Sequence, residues 1–228
     1  MRIIPSVIAL LLLLQPTAAL SVVAVPSSST GTLQTFNWPA EETTSVWSSL
    51  VPPLWKDARG LDRKIQWHRQ EQNVADRWLG TDACDARQVE QLAQAVEAMQ
   101  AACSDYDCFK GRLVATRGSV GTKCPVWHLD HVPVRWIQAL VGPGCLYVSD
   151  PLDVCWDKVN HLDDTLDPHE RNRQLLRPNA RSITKVPTGQ AVVLPGTLSH
   201  QSPIVHKSPE AMFPWEGRVL LTMEPFVE

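Results

Sequence analysis

The chain has only a small excess of acidic over basic residues, and it has few tyrosines or phenylalanines. Its 21 Lys and Arg residues against 24 Asp and Glu residues give a formal net charge of -3 over 228 residues. It therefore lacks the basic excess that is expected of a general nucleic-acid binder. Nine Trp accompany only two Tyr and four Phe, and such rings suit cores and pocket walls without naming a ligand. The composition, 44% hydrophobic and 20% charged, fits one ordinary globular domain with appendages.

Three motifs of catalysis and metal binding are also missing from the sequence. No glycine-rich loop of the P-loop or dinucleotide type occurs, which leaves nucleotide chemistry without support. No G-x-S-x-G elbow surrounds any serine, so the sequence gives little support to a serine hydrolase. No C-x-x-C pair occurs among the cysteines, so a structural zinc finger is not expected.

The N-terminal residues have the pattern of a secretory signal peptide. Arg2 is followed by an apolar run at residues 3–14 and by small residues at positions 17–19. Because the uninterrupted run is too short to span a bilayer comfortably, we predict a cleaved signal at residues 1–19 and no stable membrane span after cleavage. An uncleaved anchor and a cleavage site near Ala24 remain the alternatives.

The stretch 26–44 is expected to be a polar linker, because it opens with a cluster of serines, threonines and glycine. A signal peptide places the chain in the secretory pathway or outside the cell. A signal followed by a Ser/Thr-rich segment also suits a two-step plastid address. Against that alternative, no Lys or Arg occurs between Arg2 and Lys56, whereas transit peptides are usually basic.

The predicted mature chain keeps six cysteines, an even number that is compatible with disulfides in an oxidising compartment. Three bridges would allow about 15 connectivities, so the pairing stays open. The six are Cys84, Cys103, Cys108, Cys124, Cys145 and Cys155.

The mature chain changes from a helical pattern to a strand pattern. Apolar residues recur at helical spacing from Val89 to Cys103, which predicts a helix beginning at Asp82. A polar stretch at residues 150–181 is expected to leave the sheet as a long excursion. This order predicts an α+β protein, a double-stranded β-helix of the cupin or jelly-roll kind with an N-terminal helical region. The predicted strands are residues 112–116, 126–130, 134–141, 146–148, 191–194 and 219–223.

The strongest chemical signal is a His-x-Asp pair within one predicted strand. Residues two apart on a strand point to the same face, so His128 and Asp130 should lie side by side. An imidazole and a carboxylate can hold two adjacent positions on one metal ion. A second histidine from a distant strand would complete the two-His, one-carboxylate triad of non-haem Fe(II) oxygenases. The candidates for this distal ligand are His206, which we prefer, and His200.

The preference for His206 comes from Arg218, which follows it by twelve residues. In oxygenases that use 2-oxoglutarate, a basic residue at about this distance from the distal histidine binds the remote carboxylate of the cosubstrate. Arginine suits this task because its planar guanidinium pairs bidentately with carboxylates. The alternative without a metal is a hydrogen-bonded His–Asp pair that supports a β core.

These motifs resemble the DUF1826 family, a family of unknown function, over about residues 110–225. The sequence has Lys207 where the family pattern suggests Arg, and Cys145 where it suggests Thr. Bacterial relatives are associated with zinc-uptake and metallochaperone genes, so the resemblance implies metal homeostasis as an alternative function. The matching segments are residues 124–135, 142–144, 206–209 and 218–222.

A zinc site has its own argument from the residues. If the strand ran unbroken from Cys124, its thiol would share a face with His128 and Asp130. Cys, His and Asp with a second His suit tetrahedral Zn(II), since thiolate and imidazole are good zinc ligands. Pro125 is tolerable at the start of a strand but can break this register. A buried thiol or one half of a disulfide is therefore the preferred interpretation of Cys124.

Other histidines and charged residues receive structural interpretations. His131 alternates to the face opposite His128, so a surface position or an outer-shell contact is expected. Arg135 follows a proline, and either an anion anchor or an ion pair fits it. The acidic and histidine residues of the polar excursion lack a strict ligand loop and are interpreted as a solvated face. They are His161, Asp163, Asp164, Asp167 and His169.

The sequence therefore predicts a signal peptide at 1–19, a linker and N-terminal arm at 20–57, and a DUF1826-like β-helix domain at 58–228. The predicted metal ligands are His128, Asp130 and His206, and Arg218 is the predicted cosubstrate anchor. The predicted function is a non-haem Fe(II) oxygenase that uses 2-oxoglutarate or a similar small carboxylate on an unidentified small-molecule substrate. The competing prediction is a Zn(II)-binding homeostasis protein without catalysis.

Overall fold

The computed structural model describes most of the chain after the predicted signal peptide. The described residues are 21–26, 32–53, 59–80, 85–121, 124–159, 161, 166–209 and 213–227. The predicted signal at 1–19 lies outside them, as does Asp82. Among the described residues, none of the helices has the length and apolar character needed to cross a bilayer.

Five helices occur within the described residues, and three of them precede most of the strands. The longest, α3, begins at Ala86 because the side chain of Asp85 accepts a hydrogen bond from the Arg87 amide and caps the helix. The predicted start at Asp82 lies outside the described residues, and α3 as described begins at Ala86. Leu92, Val96 and Met99 form its buried face. The helices are α1 (Ala40–Trp47), α2 (Val74–Leu79), α3 (Ala86–Ala102), α4 (Trp156–Val159) and α5 (Pro168–Leu175).

Ten strands within the described residues form two sheets, and every paired strand is antiparallel. The larger sheet has the order β1-β2-β8-β5-β10-β4-β3 and the smaller sheet has the order β7-β6-β9. The strands are β1 (Ser21–Pro26), β2 (Thr32–Asn37), β3 (Arg59–His68), β4 (Cys108–Arg117), β5 (Val134–Val141), β6 (Leu146–Val148), β7 (Ile183–Lys185), β8 (Gln190–Pro195), β9 (His206–Lys207) and β10 (Gly217–Phe226).

Alternation along the central strand β10 separates two hydrophobic clusters, one on each face of the large sheet. Val219, Leu221 and Met223 belong to the main core, together with buried residues of α1, α2 and α3. The residues between them point to the other face, where Leu220 packs with a second cluster from β5, β6 and β8. A third cluster lies around Trp127. The large sheet is thus covered by helices on one face and by the small sheet on the other.

These observations confirm an α+β protein with antiparallel sheets. Two local predictions were wrong. Residues 126–130 form no strand, because only His128 makes a bridge, to His206 on β9. The expected linker at 26–44 is not unstructured where it is described, since β2 pairs with β8 and Phe36 and Trp38 are buried in the main core.

The cysteines show no disulfide within the described residues. Cys103, Cys108 and Cys145 are buried thiols, Cys124 is exposed and Cys155 is half-buried. Cys84 lies outside the described residues.

Candidate metal centre

The backbone brings His128 and His206 together. The amide of each residue donates a hydrogen bond to the carbonyl of the other, and both N–O distances are 3.0 Å. This antiparallel bridge holds the centres of the two imidazole rings 4.5 Å apart. The two histidines are 78 positions apart in the sequence, so the site depends on β9 reaching the loop that carries His128.

A hydrogen bond at Nδ1 of each imidazole ring fixes the direction in which Nε2 of that ring points. Nδ1 of His128 lies 2.8 Å from the carbonyl oxygen of Val126, and Nδ1 of His206 lies 3.2 Å from that of Ile204. A carbonyl only accepts, so each Nδ1 carries the proton and donates. Nε2 of each neutral ring then has a lone pair, which is the arrangement found in metal-binding histidines.

Asp130 completes the group. Its Oδ2 atom lies 3.3 Å from Nε2 of His206, and its Oδ1 atom lies 3.9 Å from Nε2 of His128. One ligand atom from each of the three residues lies within 4.8 Å of the others. Two ligands that each bind one ion at about 2.1 Å are about 3–3.5 Å apart, so small side-chain adjustments would bring the triad to bonding geometry.

The electrostatic environment of His128 and Asp130 favours the protonation forms that bind metals. Burial lowers the pKa of His128, and the neighbouring His206 lowers it further, which favours the neutral imidazole. Burial alone would raise the pKa of Asp130. The His206 ring, in its protonated form, and the Arg135 guanidinium outweigh burial and hold the pKa of Asp130 well below its usual range.

The triad lines a cavity of about 220 Å³ between the two sheets. Arg218 on β10 lines the same cavity and is only 2% exposed. Its Nε donates a 3.1 Å hydrogen bond to the carbonyl of Pro143. Burial lowers the pKa of Arg218 to about 10, so the guanidinium stays charged at neutral pH. Ile137 and Leu220 contribute apolar wall to the cavity.

Two thiols also line this cavity, those of Cys124 and Cys145. Burial raises the pKa of Cys145 to about 12, and the charge of Arg218 opposes that effect. Cys124 is not among the residues whose ligand atoms converge with those of the triad. The thiol therefore lies near the candidate metal centre but outside the converging group.

A row of charged residues extends from Asp130 across three neighbouring strands. Arg135 on β5 donates from Nε to Oδ2 of Asp130 at 2.9 Å. Its Nη1 forms an ion pair with Oε2 of Glu224 on β10. Glu224 lies directly opposite Lys110 on β4, and their charged atoms are 2.7 Å apart. Glu224 was not among the predicted site residues, although its even spacing from Arg218 on one strand places both on the same face.

The other candidates lie apart from the triad. His200 is exposed and does not belong to the converging group, so the structure brings His206 and not His200 to Asp130. His131 is exposed, and its Nδ1 lies 2.8 Å from the Thr197 hydroxyl. In the polar excursion, Asp167 caps α5. Asp163 and Asp164 lie outside the described residues.

Comparison with known proteins adds a family and one solved structure. A search of curated proteins finds no match. A prolyl-4-hydroxylase from Pseudomonas putida is similar in structure, with 12% sequence identity and a TM-score of 0.41, over 86% of this chain and 92% of that chain. A likeness at this score carries no argument about activity. Residues 112–224, which include the triad and Arg218, match the model described as protein of unknown function DUF1826, so the chain is similar to that family over this segment.

Proposed function

We propose that the chain is a metal-binding protein and that it acts as a non-haem Fe(II) oxygenase with 2-oxoglutarate or a similar small carboxylate as cosubstrate. The observation that carries this proposal is the convergence of two histidines and one aspartate in a cavity that also contains a buried arginine. A likeness in fold alone would not support it, because one fold hosts many chemistries.

The donor set fits Fe(II). Two imidazole nitrogens and one carboxylate form the facial set that leaves open positions on the ion for other ligands. His128 and His206 would each bind through Nε2, because Nδ1 of each ring donates to a backbone carbonyl. Asp130 would supply the negative charge that a divalent cation requires. Bound iron would supply the activation of dioxygen.

Arg218 would bind the remote carboxylate of the cosubstrate. It is almost fully buried, and an anion in the cavity would stabilise its positive charge where water has little access. Its planar guanidinium also suits a carboxylate better than an ammonium group does. The apolar side chains of Ile137 and Leu220 would exclude water from the same space.

The same proposal includes a finer fold, a double-stranded β-helix. Two antiparallel sheets that face each other, with the triad between them, support this architecture. We also propose that residues 1–19 direct the chain to the secretory pathway, with the two-step plastid address as the alternative. The proposed substrate is a small molecule rather than a nucleic acid, because the charge balance is slightly negative.

Zinc binding without catalysis is the second candidate function. The specific observation in its favour is the presence of two thiols, Cys124 and Cys145, in the wall of the same cavity. Thiolate and imidazole are good ligands for Zn(II). A zinc protein would bind the metal tightly and stoichiometrically, and it would show no change on addition of 2-oxoglutarate.

Anaerobic titration with Fe(II) and then 2-oxoglutarate tests the proposal. Chelation of the keto acid to iron produces a weak visible charge-transfer band, which we expect in the wild-type protein. Arg218→Met should weaken the cosubstrate affinity by about 10–100-fold while it leaves Fe(II) binding intact, because a charge-assisted bidentate pair contributes about 1.5–3 kcal/mol. Arg112→Met is the matched control, since Arg112 lines the cavity but pairs with Asp62 at 2.6–2.7 Å.

The result that would overturn the oxygenase proposal is tight stoichiometric Zn(II) binding with no charge-transfer band under any of these conditions. That outcome would leave zinc binding as the function of the site. An equal loss of affinity in Arg112→Met and Arg218→Met would mean that general charge, and not a specific anchor, attracts the cosubstrate.

A further inference from the structure

The carboxylate of Asp130 has its closest side-chain contact with an arginine rather than with either histidine. Nε of Arg135 lies 2.9 Å from Oδ2, whereas Nε2 of His206 lies 3.3 Å from the same oxygen. The other oxygen, Oδ1, is 3.9 Å from Nε2 of His128. Arg135 thus holds one oxygen of the carboxylate and leaves the other facing His128.

Arg135 is itself fixed by the sheet. Trp136 on β5 pairs with Met223 on β10, and the two strands are antiparallel. Arg135, which precedes Trp136, is therefore next to Glu224, which follows Met223. The Glu224 side chain is only 6% exposed and forms ion pairs with both Arg135 and Lys110. A cation on each side of this buried carboxylate offsets the cost of burying its charge.

The row from Asp130 to Lys110 alternates in charge and is neutral as a whole. Glu224 balances Arg135, so the arginine can orient Asp130 without placing an uncompensated positive charge beside a bound cation. Without Glu224, the guanidinium would repel a divalent ion nearby. Such partners of metal ligands typically affect metal affinity by about 10–100-fold when they are replaced.

We propose that Arg135, fixed by Glu224, is a positioning residue that holds Oδ2 of Asp130 and presents Oδ1 to a divalent cation. This inference rests on the proposed function, because it requires that the triad binds a metal. It adds a specific consequence: a carboxylate that offers one oxygen leaves more positions on the ion open to a cosubstrate than one that chelates through both oxygens.

The test is a Co(II) titration of the purified chain under anaerobic conditions, followed through the visible d–d absorption of the ion. The central variant replaces both partners, Arg135→Gln with Glu224→Gln, because this double change removes the positioning contacts and keeps the local charge balance. We expect Co(II) affinity to fall by about 10–100-fold. We also expect the d–d spectrum to change, because a freed carboxylate alters the ligand set.

Two further variants separate the explanations. Arg112→Gln is the matched control, since Arg112 lines the same cavity and pairs with Asp62 rather than Asp130. Its Co(II) affinity and spectrum should match those of the wild type. Arg135→Lys keeps the charge and is the substitute if the double variant does not fold, as judged by thermal melting. A lysine cannot contact Asp130 and Glu224 through separate nitrogens as Arg135 does, so weaker Co(II) binding is expected.

The outcomes distinguish this inference from the proposed function. If the wild type binds Co(II), His206→Ala abolishes binding, and the double variant keeps wild-type affinity and spectrum, then the positioning role is overturned and the metal site stands. Wild-type affinity and spectrum in Arg135→Lys overturn it in the same way when the double variant is unfolded. If the wild type itself binds no Co(II), both the metal site and the positioning role are overturned.

Discussion

Replacement of His206 by alanine separates a metal ligand from a structural support for the β core. The side chain is almost fully buried, at 4% exposure, and its Nδ1 donates one hydrogen bond to the Ile204 carbonyl. The backbone bridge to His128 does not depend on the side chain. One buried hydrogen bond contributes about 1 kcal/mol, so with the lost packing we expect the metal-free variant to lose about 1–3 kcal/mol of unfolding free energy.

The difference between wild type and variant should grow when metal is added. A ligand that binds only the folded state at one hundred times its Kd stabilises the protein by about 2.7 kcal/mol. In a domain of this size, about 1 kcal/mol corresponds to about 2–4 °C in Tm. The wild type should therefore gain about 5–11 °C with saturating Zn(II) or anaerobic Fe(II). His206→Ala, which lacks one of three ligands, should gain almost nothing.

Thermal melting with and without metal is the assay, and His200→Ala is the control. His200 is exposed and lies outside the converging group, so its variant should keep both the stability and the metal-induced shift of the wild type. A large loss of stability in His206→Ala, together with no metal-induced shift in the wild type, would refute the reasoning and support a structural His–Asp pair. A shift that is lost in His200→Ala would exclude His206 as the distal ligand.

Two further predictions concern the backbone behind the triad and the buried thiols. A Cβ at Gly196 would lie 2.1 Å from the Val132 carbonyl oxygen and 2.7 Å from that of Asp130. Because of this overlap, Gly196→Ala should lower the unfolding free energy by about 1–3 kcal/mol and weaken Co(II) binding. A denaturant unfolding curve identical to that of the wild type would contradict this. Burial raises the pKa of Cys145 to about 12 and that of Cys103 to about 11, which keeps both thiols protonated at pH 8. Iodoacetamide should therefore label exposed Cys124 first and these two only after unfolding, as mass spectrometry would show.

Much of the fold could be predicted because strand alternation is a local property. The runs at 134–141 and 146–148 match β5 and β6, and the run at 219–223 lies within β10. The pairing order could not be predicted in the same way. The segment that forms β2 has the composition of a linker, yet it pairs with β8. Composition does not reveal that the sheet offers it hydrogen-bond partners.

The candidate site could be predicted in part, for a different reason. The side chains of His128 and Asp130 do lie near each other, with Nε2 and Oδ1 3.9 Å apart, but on a loop bridged at His128 rather than on a strand. β9 has only two residues, so no periodicity marks His206 as the distal partner. Glu224 was missed because its spacing from Arg218 indicates a shared face but does not reveal its two cationic partners, which are distant in the sequence.

The distances in the triad are compatible with the proposed ligand role. A hydrogen-bonded support would join imidazole and carboxylate within the usual range of about 2.7–3.2 Å. Both contacts of Asp130 with the histidines are longer, at 3.3 and 3.9 Å, whereas its contact with Arg135 is 2.9 Å. The good hydrogen bond of His128 is on Nδ1, with a backbone carbonyl, so its Nε2 faces the carboxylate without bonding to it. On the proposed ligand role, a shared cation would lie between these three groups, while Nδ1 of each ring and Oδ2 of Asp130 keep their present partners.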